Sequence, residues 1–218
     1  MSLQLFGHPF SSYTQKVLIA LWANDTSFDY RLLEQDYPEN FAELKRHSPF
    51  GLFPLLIDNG TAVFESTPII EYLQAYYPGA HTWIPQGELG RRVRFLDRFF
   101  DLHVMGNMQK AVTDQLRPDG THDSYGVERA RERLNIAYDW LEANLGSGPW
   151  AAGDQFTLAD CAAAPSLFYA DWAEEIGPER PKLMAYRARL LAYPPVVRAV
   201  DEGRPYRSYF PLGAPDRD

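Results

Sequence analysis

Leu3-Gln4-Leu5-Phe6-Gly7-His8-Pro9-Phe10-Ser11-Ser12-Tyr13-Thr14-Gln15-Lys16-Val17-Leu18-Ile19-Ala20-Leu21-Trp22 decides how the rest of the chain is read. Residues 3–6 are short and apolar and stop at Gly7-His8-Pro9, which marks a strand and its turn. Val17, Leu18, Leu21 and Trp22 recur at helical spacing between Ser12 and Ala23. Phe28, Tyr30 and Leu32 then alternate with Asp29 and Arg31, the pattern of a second strand. Two strands separated by a helix need a crossover, so they pair in parallel. Residues 34–48 are polar and irregular, with room for a short helix around Phe41–Arg46. Further on, Leu55-Leu56-Ile57 and Ala62-Val63-Phe64 flank Asp58-Asn59-Gly60, a strong hairpin signal. A helix follows, capped by Ser66 or Thr67, with Pro68 in its first turn and Ile69, Ile70, Leu73 and Tyr76 on one face. The order β-α-β followed by β-β-α predicts a mixed sheet flanked by helices.

Beyond residue 78 the strand pattern ends. Residues 78–90 are rich in proline and glycine and read as a linker. A long helix is expected over residues 88–115, with Leu89, Val93, Leu96, Phe100 and Val104 on one stripe. A second is expected over 125–145, and others start at Thr157 and near Pro181, before a tail rich in tyrosine, proline and phenylalanine. The expected organisation is an α/β domain over residues 1–78, a linker over 79–90 and an all-α domain over 91–218.

Charge and composition narrow the function. Lys plus Arg total 21 and Asp plus Glu total 29, a net charge of −8. That balance argues against a nucleic-acid partner, which needs a basic footprint, and gives no support for an anionic membrane. The single cysteine, Cys161, excludes a disulfide framework, a multi-cysteine metal site and a dithiol redox motif. The five histidines are scattered without metal-ligand spacing, so no metal is expected. The start MSLQLFGHPF lacks the pattern of a signal peptide, and no stretch is apolar enough to span a bilayer; a cytoplasmic protein is expected.

Ser12-Tyr13-Thr14-Gln15 has the spacing of a capping box, which assigns Ser12 to the helix cap with Gln15 reaching back, and leaves Ser11 free to face a ligand. The plainer alternative is that both serines merely organise the strand-to-helix turn. Thr157-Leu158-Ala159-Asp160 is a second capping box, and Phe156 with Cys161 adds a hydrophobic staple, giving the cysteine a structural role.

The stretch from Gly7 to Leu21 resembles the soluble glutathione transferases, in a bacterial-style form near the serine-using theta, phi and zeta-like classes. Gly51-Leu52-Phe53-Pro54-Leu55, Phe64-Glu65-Ser66 and Gly153-Asp154-Gln155-Phe156-Thr157-Leu158-Ala159-Asp160 match the family in order and spacing, so the resemblance spans nearly the whole chain. It implies a thioredoxin-like N-terminal domain, an all-helical C-terminal domain, glutathione as co-substrate and a homodimer. It places the thiolate-binding hydroxyl at Ser11, with Tyr13 as a rival because other classes use tyrosine from this region. It implies a cis bond between Phe53 and Pro54, with the Phe53 main chain pairing with the cysteinyl backbone of glutathione. Ser66 would receive the γ-glutamyl carboxylate and Glu65 would face the γ-glutamyl ammonium.

Two positions depart from the family. Leu52 stands where Gln or Lys is frequent, and Pro38-Glu39-Asn40-Phe41 replaces a loop that often offers basic residues to the glycine carboxylate; Lys45, Arg46 and His47 lie nearby but out of register. The electrophile is expected between the domains, against Phe10, Tyr13, Phe100, His103, Met108, Trp172 and the tail around Phe210. Arg91, Arg92, Arg94 and Arg98 read as a solvated helix face, with an ionic contact across a dimer interface as the alternative, in which Asp97 and Asp101 would also take part. The leading expectation is conjugation of the glutathione thiolate to small hydrophobic electrophiles. The alternatives are a glutathione-dependent isomerase of zeta-like type, against which Tyr13 stands in place of that class's cysteine, and a non-catalytic binding or scaffold protein.

Overall fold

A computed structural model describes residues 3–218. Its first half is the βαβ-ββα unit: β1 (Leu3–Gly7), α1 (Ser12–Ala23), β2 (Asp29–Leu32), α2 (Pro38–His47), β3 (Leu55–Asp58), β4 (Thr61–Phe64) and α3 (Ser66–Tyr76). The strand order is β2-β1-β3-β4, with β1 parallel to β2 and antiparallel to β3, which pairs antiparallel with β4. This is a thioredoxin-like mixed sheet. Its faces are covered because side chains alternate across the pleat: Leu3, Leu5 and Leu56 join α1 and α3, whereas Phe6, Leu55 and Ile57 join Leu44 of α2.

The register sets the geography of the site. Gly7 pairs with Leu32, Phe6 with Leu55 and Leu55 with Phe64. The end of β2, the turn from β1 to α1, the residues entering β3 and the turn from β4 to α3 therefore meet at one end of the sheet, in that lateral order. Gly7 is required there: a Cβ would stand 2.5 Å from Cγ2 of Thr14, on the first turn of α1.

The second half is helical: α4 (Gly87–Phe99), a π turn (Phe100–Met105), α5 (Gly106–Gln115), α6 (Ser124–Asn144), α7 (Leu158–Ala173), α8 (Pro181–Leu191), α9 (Pro194–Gly203) and a 3-10 turn (Arg204–Tyr209). Helix α7 is buried along its whole length up to Trp172 and packs on α1, α4 and α8. Its capping box forms as expected, and Cys161 is fully buried beneath it. Asp160 accepts from Ala151 N at 2.8 Å, Thr157 N at 2.9 Å and the Tyr186 hydroxyl at 2.7 Å. No helix among the described residues is long and apolar enough to cross a membrane.

Several expectations are corrected. Helix α2 runs from Pro38, longer than the short helix expected, because Pro38 is suited to the first helical turn. Helix α4 begins at Gly87, inside the segment read as linker. The long helix over 88–115 is interrupted by the π turn, and Leu89, expected on the buried stripe, is 41% exposed. The tail contains α9, whose two leading prolines masked its helical pattern. Glu65, not Ser66 or Thr67, occupies the cap position of α3; Ser66 is the first helical residue.

Candidate glutathione site

At the end of the sheet, Ser11 is the N-cap residue of α1, in extended conformation, and its Oγ accepts from Thr14 N at 3.3 Å. This corrects the capping-box reading by one position. Ser12 is the first helical residue and is buried. Gln15 does not reach back to a cap: its Nε2 donates to Pro9 O at 2.8 Å, to Tyr169 Oη at 3.1 Å and to Ala199 O at 3.3 Å. Tyr169 in turn donates to Phe10 O at 3.0 Å, so the turn carrying Ser11 is held from α7 and α9. Capping does not consume Ser11: a hydroxyl that accepts from Thr14 N keeps its O–H for a ligand.

Phe53-Pro54 is a cis bond, at the entry to β3. Glu65 has φ of 66°, a left-handed conformation that is uncommon outside glycine, and Ser66 beside it is 5% exposed at the N-terminus of α3. Two helix N-termini therefore point at the same end of the sheet, each with partial positive charge suited to an anion. Tyr13 is half-buried; its phenol is pushed up to about 12, first by burial and then by the Asp101 and Glu65 carboxylates, against Arg98. It stays protonated at neutral pH, able to donate but not to act as base.

The structure gathers Phe10, Trp172 and Phe210 beside this turn: Phe10 and Trp172 lie 6.4 Å apart between ring centroids, and Trp172 and Phe210 lie 5.3 Å apart. Phe100 and Met108 belong to the same apolar cluster as Trp172 and Phe210, and Tyr13 packs against it as Phe10 does. Phe100 is fully buried in the core and Met108 is 5% exposed, while the ring of the exposed His103 is tilted by 54° against Phe99, which faces Trp140 of α6. Leu52 is 64% exposed. Arg46 and His47 are tied to Glu43, at 2.9 and 3.0 Å, in the last turn of α2.

Sequence reasoning missed Lys16. Its ammonium, 1% exposed, lies 2.6 Å from Asp97 and 2.8 Å from Asp101, and donates to Thr67 Oγ1 at 2.9 Å. Thr67 donates on to Asp97 at 2.9 Å. Asp97 and Asp101 thus face Lys16 within the chain, correcting the expectation that they reach across a dimer interface. Burial raises the Asp101 carboxyl despite Lys16. The arginine run is a solvated face in part: Arg91 pairs with Glu88 and Arg92 donates to Asn144 O. Among the described residues no group of three or more His, Cys, Asp or Glu is placed to hold a metal ion.

The comparisons agree with this geometry. The glutathione S-transferase N-terminal domain family matches residues 5–81, and its C-terminal domain family matches residues 124–189. Glutathione S-transferase U8 of Arabidopsis thaliana is 30% identical over 74% of this chain and 67% of its own. A probable maleylacetoacetate isomerase of Vibrio cholerae is 28% identical over 94% of this chain and 98% of its own. A solved glutathione S-transferase of Methylobacillus flagellatus with glutathione bound superposes with a TM-score of 0.79, at 26% identity, over 91% of this chain and 98% of the other. The chain belongs to the glutathione S-transferase family. It is a glutathione transferase, with the thioredoxin-like and helical halves of that family.

Proposed function

We propose that this enzyme holds the thiolate of glutathione at Ser11 and directs it at small hydrophobic electrophiles lodged against Phe10, Trp172 and Phe210. The observation that carries the reading is the position of the Ser11 hydroxyl, at the cap of α1 and at the same sheet end as Phe53-Pro54 and Ser66. A free thiol titrates near 8.5, and lowering that by about two units takes roughly 2.7 kcal/mol of preferential thiolate binding. A hydrogen bond to a charged group contributes about 1.5–3 kcal/mol, and a helix N-terminus about 0.3–1 kcal/mol. Together they suffice without a separate base. Phe53 pairs through its main chain with the cysteinyl residue, Ser66 receives the γ-glutamyl carboxylate, and Glu65 faces the γ-glutamyl ammonium. The working form is a cytoplasmic homodimer, which sedimentation would reveal as close to twice the chain mass of 24.9 kDa.

The test is ultraviolet titration of glutathione bound to the protein. Thiolate absorbance at neutral pH that is lost in Ser11→Ala supports the reading; binding without thiolate favours a scaffold. The Vibrio cholerae relative favours a second reading, glutathione-dependent isomerisation. The two separate on thiol balance, because conjugation consumes one thiol per turnover and isomerisation returns it.

A further inference from the structure

Every backbone donor and acceptor from His8 O to Ser11 O has a partner inside the chain. Ser11 N donates to His8 O at 2.9 Å and Gln15 N to Ser11 O at 2.8 Å. Gln15 Nε2 donates to Pro9 O at 2.8 Å, and the Tyr169 hydroxyl to Phe10 O at 3.0 Å. Pro9 has no N–H to satisfy. The remaining donor, Phe10 N, is met by the His8 ring, giving its hydrogen bond to Nδ1 at 3.1 Å. Of all the ties of this turn, only that one has a partner whose charge changes between pH 5 and 8.

A backbone N–H only donates, so Nδ1 must present its lone pair and the ring proton sits on Nε2. The 3-10 turn after α9 boxes the ring in: Tyr206 packs edge-on at 4.5 Å between centroids, and Tyr209 lies at 6.3 Å. Glu34, between β2 and α2, stands 3.8 Å from Nε2 but already accepts from the Tyr206 hydroxyl. That bond, then burial, pushes the Tyr206 phenol up to about 12, so it stays protonated. Burial holds the His8 imidazole below its usual value, and the Glu34 carboxylate offsets this only in part. The ring is therefore neutral at neutral pH. Protonation would reverse the sense of the contact. A proton on Nδ1 sets two donors against each other, and Phe10 N loses its acceptor. The loss falls on Phe10, whose ring faces Trp172, and on the next residue, Ser11, which caps α1.

Resting on the Ser11 reading above, we infer that His8 is a positioning residue for the reaction: neutral, it holds Phe10 and Ser11 in the working conformation, and its protonation releases them. The enzyme then has two acid limits. One is the bound glutathione thiol; the other is a group of its own that acts through the turn and touches neither substrate.

Nuclear magnetic resonance and kinetics on the full chain test this. In isotope-labelled protein without glutathione, ring correlation spectra should show His8 Nδ1 unprotonated at neutral pH. The Phe10 amide should then shift with the same midpoint as His8, below the ordinary value near 6.5. For kinetics, kcat/KM for an activated aryl chloride is followed against pH at saturating glutathione, which reports groups of the glutathione complex. Below both titrations its logarithm should fall with a slope of two in wild type. His8→Asn should fall with a slope of one, because an asparagine oxygen accepts from the backbone N–H two residues on but takes no proton. His8→Ala, which has no acceptor, should be slower at every pH by about 2–10-fold, the worth of one hydrogen bond, and His8→Asn should recover most of that. A proton on Nδ1 at neutral pH, or a Phe10 amide that ignores the His8 titration, would overturn the inference whatever the variants do. A slope of two retained in His8→Asn would overturn it as well, and bound thiolate at neutral pH would leave the Ser11 reading standing. A wild-type complex whose thiol stays protonated at neutral pH removes the Ser11 reading, and the inference with it.

Discussion

Lys16 Nζ lies 2.6 Å from Asp97 Oδ1, and each side chain is 1% exposed. The pair joins the first helix of the sheet domain to the first helix of the helical half, and Asp101 and Thr67 complete it. One cation therefore ties the helix that carries Ser11 to the start of the helix that carries Ser66.

Removing that cation alone should be costly. Lys16→Met leaves two carboxylates buried without compensation, and breaking a buried ion pair in this way destabilises by about 3–5 kcal/mol. Urea unfolding should show it as a lower midpoint. Adding Asp97→Asn and Asp101→Asn should recover much of the loss, since a neutral cluster no longer carries uncompensated charge. A single variant as stable as wild type would mean that water reaches the cluster.

Ser11 is expected to affect stability and chemistry at once, because one oxygen accepts from Thr14 N and, in the proposed role, offers its proton to the thiolate. Ser11→Ala should cost about 0.5–2 kcal/mol, toward the low end given the 3.3 Å cap bond. It should also slow conjugation roughly 10–100-fold through loss of one charged hydrogen bond. Ser11→Asp separates the two, since it caps a helix but repels the thiolate: stability near wild type with activity lower than in Ser11→Ala. Ser12→Ala should be close to neutral on both counts, because no hydrogen bond among the described residues involves its hydroxyl.

Much of the fold was legible in the sequence, for reasons that also explain what was not. The βαβ unit and the Asn59-Gly60 hairpin are written in local periods and turn chemistry, which survive in the folded chain. The cap was misplaced by one residue because Gln15, which completes a capping box in the sequence, is drawn instead to Pro9 O and Tyr169 Oη. That competition is decided by α7, which no local pattern displays. Lys16 was passed over for the same reason: its partners are distant in sequence and arrive only with domain packing. Ser11, Pro54, Glu65 and Ser66 meet at one sheet end because the strand register brings short contiguous motifs there.

Tyr13 should reveal itself in alkaline solution. Its phenol titrates at about 12 in the folded chain, above the ordinary value near 10. From pH 10 toward 12 the unfolded tyrosine loses its proton while the folded one keeps it, so fewer protons are bound by the unfolded state and stability falls as pH rises. Buried Tyr138 and Tyr186 add to the same slope. Tyr13→Phe should make it shallower in urea midpoints taken across that range. The variant should leave the thiolate titration of bound glutathione in place; a raised thiol value would transfer the activating role from Ser11 to Tyr13.

Asp160 should be among the least tolerant positions. It accepts from Ala151 N, Thr157 N and Tyr186 Oη in a fully buried setting. Asp160→Ala strands those donors at about 1–3 kcal/mol each, enough to remove most of the stability of a chain this size. Soluble expression and the cooperativity of thermal unfolding would report it, with Asp160→Asn retaining part of the network.

The π turn over Phe100–Met105 lets the long helix of the second half carry one wider turn without losing its buried side. Val93, Leu96, Phe100, Val104, Met108 and Ala111 follow one another at three- and four-residue spacing and are all buried, while Leu102 is exposed. The wide turn is absorbed where it occurs, so α4 keeps its place against α7 upstream of it and α5 keeps its seat on α6 downstream.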